Sequence, residues 1–600
     1  MQAIILAAGM GKRLKALTKE CTKCMVEVNG VSLIDRMLHQ LEGLHLSRII
    51  IVIGYQGDKL ARYIGSLNIQ TPIIFINNEI YDKTNNIYSL ALASDYLCNE
   101  NTLLFESDLI FENEVVTQLL DDSRDTLALV DKYESWMDGT CIKLDQEDHI
   151  TAFIPNKAFK FEEIKDYYKT VNIYKFGKEF SQKYYVPFLS AYAKALGNNE
   201  YYEQVLRVIT MLDVPAIQAK RLSGQRWYEI DDIQDLDIAS SIFTEDDNRL
   251  SQLQKRDGGY WRYPKLMDFT EFTNPFFPPQ RLLDEIKANL ETIVSKKSSD
   301  MRINLLLAEK NFEIPKEKIV MVGDSKKAAK RFILNYNDEV GIIGDSNAFI
   351  NLNESIHFLD EYAENLNSAA DVIKLVSGMK LRLLFMENPS SRLGRYIPKN
   401  EIIKIVQWGL DNNVQVVYDE TFSDFAEEAN NSLLSAEILE SYPNLLIAKS
   451  ISVVHGVPGL HVGILACGNI ADAGIKRELF MSDRLDSCSE FYMQIFEKYK
   501  KDYGVAIAHF KKEKRRVEDA LSEIEGLRIY PSQSAFIVVE FDGKISVDEV
   551  EKRLLLEDNI LVRRVDGNTK TVRFSINVER ENNRMINALA RIMNKEEGVE

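Results

Sequence analysis

The chain has 600 residues, too long for one core, so two or more domains are expected. Hydrophobic residues make up 45% and charged residues 27%, the balance of an ordinary globular protein in water. A formal net charge of -18 argues against nonspecific nucleic-acid binding and against docking on an anionic membrane surface.

The first residues, MQAIILAAGMGKRL, do not read as a signal peptide: the apolar run is short, no basic region precedes it, and it ends in glycines. No stretch approaches the roughly 20 apolar residues of a membrane span. Six cysteines make no disulfide framework; Cys21 and Cys24 form a C-x-x-C without a second pair at zinc spacing, so they read as ordinary thiols. A cytoplasmic protein is expected.

Residues 1–245 alternate short apolar runs (AIILAAG, RIIIVIGY, TPIIFINN, TLLFESDLIF) with amphipathic stretches such as SLIDRMLHQLEGL. This rhythm predicts a Rossmann-like α/β domain with a mostly parallel sheet, whose ligands gather at the carboxyl ends of the strands. Residues 246–265 are polar with a Gly-Gly and a Pro, and read as a linker. From 266 to 600 a second alternating region follows (KIVMVGDS, EVGIIGDS, KLRLLFMENP, VQVVYDETF, NLLIAKSIS). It ends in a long helical stretch and a small α+β subdomain around LRIYPSQSAFIVVEF and TVRFSINVE.

LAAGMGKRL follows the first strand directly. Gly9 and Gly11 let backbone N–H groups approach a triphosphate, and Lys12, Arg13 and Lys23 supply cations. FESDLIF ends a strand with Glu106 and Asp108, and WYEIDDIQDL puts Asp231 and Asp232 after another. Acids at strand ends beside a triphosphate suit Mg²⁺.

Together, Gly9 to Leu14, Lys23, TNNIYSL (84–90), ESDLIF and YEIDDIQDL resemble the sugar-phosphate nucleotidyltransferases, and more closely the bacterial phosphocholine and 2-aminoethylphosphonate cytidylyltransferases. The resemblance implies that Lys23 contacts the α-phosphate and that Asp108 and Asp231 bind Mg²⁺. It implies a nucleotide site of Leu6, Ala8, Gly9, Gly11, Lys12, Arg13, Lys23 and Asn85, with Asn86 near the acceptor. An acceptor phosphate or phosphonate oxygen would attack the α-phosphorus of CTP and pyrophosphate would leave. Lys23, Arg13 and Asp108 are the expected catalytic residues. The attacking oxygen is already anionic, so no general base is needed. Glu134, Trp136 and Asp138 lie close in sequence, and Tyr201, Tyr202 and Glu203 form a second such group; aromatic faces with carboxylates suit an ammonium. Phosphocholine, phosphoethanolamine and 2-aminoethylphosphonate all remain open as acceptors.

Residues 266–600 resemble fold-type I aminotransferases of the histidinol-phosphate aminotransferase and threonine-phosphate decarboxylase branch, through PFFPPQRLLDEI, VVYDETFSDF and TVRFSINVERENN. The resemblance makes Asp419 the partner of a pyridinium nitrogen and Arg573 the grip on a substrate carboxylate. Five departures argue against that chemistry. In SISVVHGVPGLHVG, Val453 stands at the Schiff-base lysine position and His461 at the phosphate-binding arginine. Ser391 replaces the cofactor-binding Asn, Phe422 replaces a Tyr, and Asp324 enters the phosphate loop. Lys449, Lys326 or Lys327 would have to swing in to compensate. Each lost charge-assisted bond costs roughly 1.5–3 kcal/mol. Pyridoxal phosphate is therefore not expected, and Asp419 and Arg573 read as remnants. The second domain is expected to serve as a homodimerisation scaffold. Two other readings are a bifunctional enzyme with a displaced lysine, and a regulatory protein sensing a phospho-amino acid through Arg573.

Overall fold

The computed structural model describes residues 1–212, 217–256, 258–334, 339–344, 356–359, 366–468, 485–543, 545–565 and 570–594. They divide into two compact units, Met1–Pro264 and Lys265–Glu600.

The first unit is built on a sheet of nine strands among the described residues. Strand Gln2–Ala7 lies at its centre, parallel to Ile49–Ile53 on one side and to Thr102–Glu106 on the other. Ile73–Asn77 extends the parallel side, and Tyr168–Phe176 pairs antiparallel with Thr102–Glu106. From Ala3 to Ala7 the central strand is apolar at every position because both faces are covered. Ala3, Ile5 and Ala7 enter one hydrophobic cluster, and Ile4 and Leu6 the other. The helix Leu33–Glu42 buries Ile34, Met37, Leu38 and Leu41 at helical spacing, and Ser32 caps it by accepting from the Asp35 N–H at 3.2 Å. Burying each such side chain contributes roughly 1.5–3 kcal/mol.

The second unit holds a seven-stranded sheet in the order 319–322, 463–467, 445–450, 415–419, 383–387, 340–343, 356–358. Strand Gly463–Cys467 runs antiparallel to both of its neighbours. Strands Leu383–Glu387 and Gln415–Asp419 are parallel and in register, which sets Glu387 beside Asp419 at their carboxyl ends. A four-stranded antiparallel sheet, 527–530, 536–541, 571–575 and 563–564, forms the expected α+β subdomain.

Residues 246–265 are not a free linker. Asp246–Gln254 is a helix, Tyr260–Arg262 is a 3₁₀ turn, and Leu253, Tyr260 and Tyr263 are buried. The Tyr260 hydroxyl donates to the Leu253 and Arg256 carbonyls, and Arg256 pairs with Asp237 at 2.6 Å. The polar composition is that of an amphipathic helix with a narrow apolar edge, which a composition reading takes for a loop. Among the described residues no helix is long and apolar enough to cross a membrane. A fragment ending at 264 is expected to melt at least about 5 °C above one ending at 245, because the shorter one exposes the surface that Leu253, Tyr260 and Tyr263 cover. Equal melting temperatures would show that this segment is dispensable.

Candidate active site

The strand Gln2–Ala7 runs into the turn Ala8–Gly11 at the carboxyl edge of the sheet. Gly11 has a φ of +58°, and a Cβ there would lie 3.0 Å from Lys23 Cβ and 3.1 Å from Thr18 Cγ2. Glycine is therefore needed both for the left-handed backbone and for the approach of Lys23. The Thr18 hydroxyl fastens the turn by donating to the Gly11 carbonyl at 2.8 Å. A Cβ on Gly9 would meet nothing within 4 Å, so the turn opens onto free space there. Leu6 and Ala8 are buried beneath it, and Lys12 is exposed.

Lys23 reaches from this turn to two carboxylates. Its Nζ donates to Asp108 Oδ2 and to Asp231 Oδ1, each at 2.6 Å. Arg13 also reaches Asp231 at 2.8 Å, and lies 3.6 Å from Asp138. Burial alone would lower the Lys23 ammonium, but Asp108 and Asp231 outweigh it and hold the proton firmly. Burial likewise opposes ionisation of Asp231, and Lys23 and Arg13 reverse it, keeping this carboxyl below its ordinary range.

A third carboxylate, Glu229, completes the cluster. Single carboxylate oxygens of Asp108, Glu229 and Asp231 lie within 4.8 Å of one another. Asp108 Oδ1 is buried and has no hydrogen-bond partner among the described residues. Oxygen donors of this kind, one of them unpartnered, fit a hard divalent cation such as Mg²⁺. Burial pushes the Glu229 carboxyl up to about 7, with Lys169 opposing and Asp108 and Asp231 adding to the rise. Sequence reasoning missed Glu229, although its spacing of two from Asp231 at a strand end was a readable signal. Asp232 caps the next helix instead, accepting from the Gln234 and Asp235 N–H groups.

The other sequence candidates are placed as follows. Asn85 caps a helix by accepting from the Asn86 N–H at 2.9 Å. Asn86 uses both ends of its amide on protein, donating to Glu106 Oε1 at 2.9 Å and accepting from the Tyr202 N–H at 3.0 Å. Tyr202 is a fully buried core ring, whereas Tyr201 is 54% exposed. Glu203 is buried, and among the described residues its Oε2 has no hydrogen-bond partner. Trp136 stacks on Tyr228 at 4.2 Å, and its Nε1 donates to Glu134 at 3.1 Å, so Glu134 and Trp136 partner each other beside the strand that carries Glu229.

In the second unit the lysines expected to compensate are already engaged. Lys449 is buried, donates to Asp424 Oδ1 at 2.6 Å and lies 3.8 Å from Glu420. Lys326 pairs with Glu387 at 2.7 Å. Lys327 lies 3.4 Å from Asp324, whose Oδ1 accepts from the Lys327 N–H at the helix start. Ser391 Oγ donates to Glu387 Oε2. Asp419 is buried beside Glu387 and accepts from the Thr421 N–H at 2.9 Å; burial first, then Glu387, pushes it up to about 6. Arg573 donates to the Ser391 carbonyl at 2.5 Å and lies over the Phe272 ring at 5.2 Å. Val453 sits half-buried in the short helix Ile451–Val454, and His461 is exposed.

Residues 3–164 match the MobA-like NTP transferase domain, and residues 356–592 match aminotransferase class I and II. The chain joins a nucleotidyltransferase domain to an aminotransferase-like domain. The CMP-5'-(3-aminopropyl)phosphonate synthase of Streptomyces rubellomurinus is 23% identical over 613 residues, spanning 100% of this chain and 96% of that protein. The CTP:phosphoglutamine cytidylyltransferase of Campylobacter jejuni is 27% identical over 255 residues, 40% of this chain and 98% of that protein. A decarboxylase from Sulfurospirillum multivorans shares the fold of the aminotransferase-like domain, with 20% identity and a TM-score of 0.51 over 58% of this chain and 98% of that one.

In the nucleotidyltransferase domain, burial pushes the Glu203 carboxyl from its ordinary 4.5 to about 7, its own backbone N–H and Lys169 opposing. Between those values the folded state holds a proton that the unfolded state has released. Stability therefore falls as pH rises through this window. Glu203→Gln is expected to remove that loss, so its melting temperature gains on the wild type between about pH 5 and 7. Parallel pH profiles for the two proteins would refute the assignment.

Proposed function

We propose that the nucleotidyltransferase domain transfers CMP from CTP to a small amine-bearing phosphonate or phosphate, with release of pyrophosphate. The observation that carries this is Lys23 seated between Asp108 and Asp231, beside Glu229 and a glycine turn open to a ligand. The names of the Streptomyces and Campylobacter relatives, each naming a CMP or cytidylyl product or transfer, support it. The full-length match to a CMP-5'-(3-aminopropyl)phosphonate synthase favours an aminoalkylphosphonate acceptor over phosphocholine.

Asp108, Asp231 and Glu229 would hold Mg²⁺, which when bound would neutralise charge on the reacting phosphates. Lys23 positions the α-phosphate and counters the charge that builds there as the acceptor oxygen adds and pyrophosphate departs in line. Arg13, tethered to Asp231 and Asp138 at the mouth of the turn, suits a bidentate grip on the departing phosphates. Gly9 and Gly11 keep side chains out of their path. Binding energy goes into alignment, because the attacking oxygen needs no deprotonation. Trp136 and Glu134 border the same edge and suit the ammonium end of the acceptor.

The test is pyrophosphate release with CTP and Mg²⁺, comparing 2-aminoethylphosphonate, 3-aminopropylphosphonate, phosphoethanolamine and phosphocholine. Turnover is expected with an aminoalkylphosphonate, falling at least about 100-fold in Lys23→Ala and in Asp108→Ala. Unchanged turnover in both variants would refute the site.

The aminotransferase-like domain is read as a dimerisation scaffold without pyridoxal phosphate. Val453 has no amine for an aldimine, and Lys326 and Lys449 are held by acids. The Glu387 carboxylate beside Asp419 does not fit an anionic cofactor either. Leu290 and Val294, exposed one turn apart on the helix Gln280–Ser295, support an interface. The purified protein is expected to sediment as a dimer at micromolar concentration and to stay colourless after incubation with pyridoxal phosphate. A monomer, or an aldimine absorbance band, would overturn this role.

A further inference from the structure

Glu229 is held on both of its oxygens by one strand, Tyr168–Phe176. Asn172 Nδ2 donates to Oε1 at 3.2 Å, and Lys169 Nζ stands 3.4 Å from Oε2. These two residues are three apart in sequence, and in a regular strand they would face opposite sides of the sheet. They share a side because the strand is irregular here. Its register against Leu127–Lys132 shifts between Thr170 and Tyr174, and Asn172 has a φ of +59°. A bulge of this kind re-aims side chains, and left-handed backbone at a non-glycine residue persists only where its surroundings hold it. The hold is visible. Thr170 Oγ1 donates to Asn172 Oδ1 at 3.0 Å, and the Lys169 ammonium donates to the Thr170 carbonyl at 2.7 Å and to Asn172 Oδ1 at 3.4 Å.

Lys169 is the second notable feature. Its side chain is 1% exposed, and a buried ammonium is costly unless its donors are matched. A stabilising core would place an apolar residue here. Lys169 instead stands directly behind the carboxylate cluster, on the oxygen of Glu229 that Asn172 does not bind. Gly139, with a φ of +92°, passes close by, so that a Cβ there would lie 3.5 Å from Lys169 Cε.

We propose that Lys169 and Asn172 are positioning residues that clamp Glu229 as the third arm of a divalent-cation site with Asp108 and Asp231. The proposal rests on the transferase reading above. The clamp acts through Glu229 and touches no substrate. Freezing the carboxylate in place lowers the ordering cost of taking up a cation, as partners behind metal ligands generally do.

The experiment uses the full chain and Mn²⁺ alone, its binding followed by electron paramagnetic resonance, with melting temperature and the KM values for Mg²⁺ and CTP measured alongside. The variants are Asn172→Gly, Lys169→Met, Lys169→Arg and Asp108→Ala. Glycine suits the φ of residue 172, so Asn172→Gly is expected to melt within a few degrees of the wild type. Its Mn²⁺ affinity should nonetheless fall about 10-fold or more. Its KM for Mg²⁺ should rise more than its KM for CTP. Lys169→Met should weaken Mn²⁺ binding similarly, and Lys169→Arg should recover part of it. Wild-type Mn²⁺ affinity in Asn172→Gly and Lys169→Met, with Asp108→Ala impaired, would overturn the clamp and leave the cation site standing. No Mn²⁺ binding by the wild type, or full binding by Asp108→Ala, would overturn the cation site and the clamp with it.

Discussion

The first unit depends on one ammonium. Lys23 joins Asp108 and Asp231, which lie 85 and 208 positions away in sequence, through two bonds of 2.6 Å. Without it, Glu106, Asp108, Glu229 and Asp231 would crowd one edge of the sheet with Arg13 and Lys169 as the nearest opposing charges. Like charges that close raise one another's proton affinity, adding to the rise that burial already imposes on Glu106 and Glu229. Other features exist so that Lys23 can stand there. Gly11 gives up its Cβ to let the lysine stem pass, Thr18 fastens the turn, and the parallel strands bring Asp108 to the same edge.

Most of this was legible along the chain, because strand ends and glycine turns are local signals. The apolar run AIILA is buried on both faces of a sheet, and the acids after TLLFE fall where the sheet delivers them. Three things were missed, for different reasons. Residues 246–264 look polar because a surface helix needs only a few apolar residues, Leu253 among them, to seat it. Glu229 lies between aromatic core residues and Asp231, and its role depends on what stands behind it. Lys169 and Asn172 carry no local signal at all, since the bulge that aims them is fixed by pairing with a strand some 40 residues away. Asn85, Asn86 and Tyr202 have roles that the sequence did not signal: their polar groups or rings help hold helices and the core.

The second unit has an aminotransferase-like fold, and the acids at its strand ends are engaged by groups of the same chain. Glu387 and Asp419 meet at adjacent strand ends, an arrangement that would repel itself if Lys326 were absent. Burial and Glu387 together push Asp419 up, while Lys326 pulls it back. Arg573, expected to grip a substrate carboxylate, donates to the Ser391 carbonyl. Asp424 is likewise satisfied twice, by Lys449 and by the Tyr503 hydroxyl. An ion pair made within the chain costs less ordering than one made with a ligand, so an external anion would have to displace a partner that is already in place.

The two units therefore differ in what their charges still require. In the second, the acids at the strand ends each have a cation or donor from the same chain. In the first, Asp108 Oδ1 is buried with no hydrogen-bond partner among the described residues. A buried carboxylate oxygen without a donor is expensive, and a fold keeps one where something outside the chain completes it. That asymmetry supports placing the proposed chemistry in the nucleotidyltransferase domain. In both domains the architecture sets where side chains converge, and the balance of charge at that point bears on what they bind.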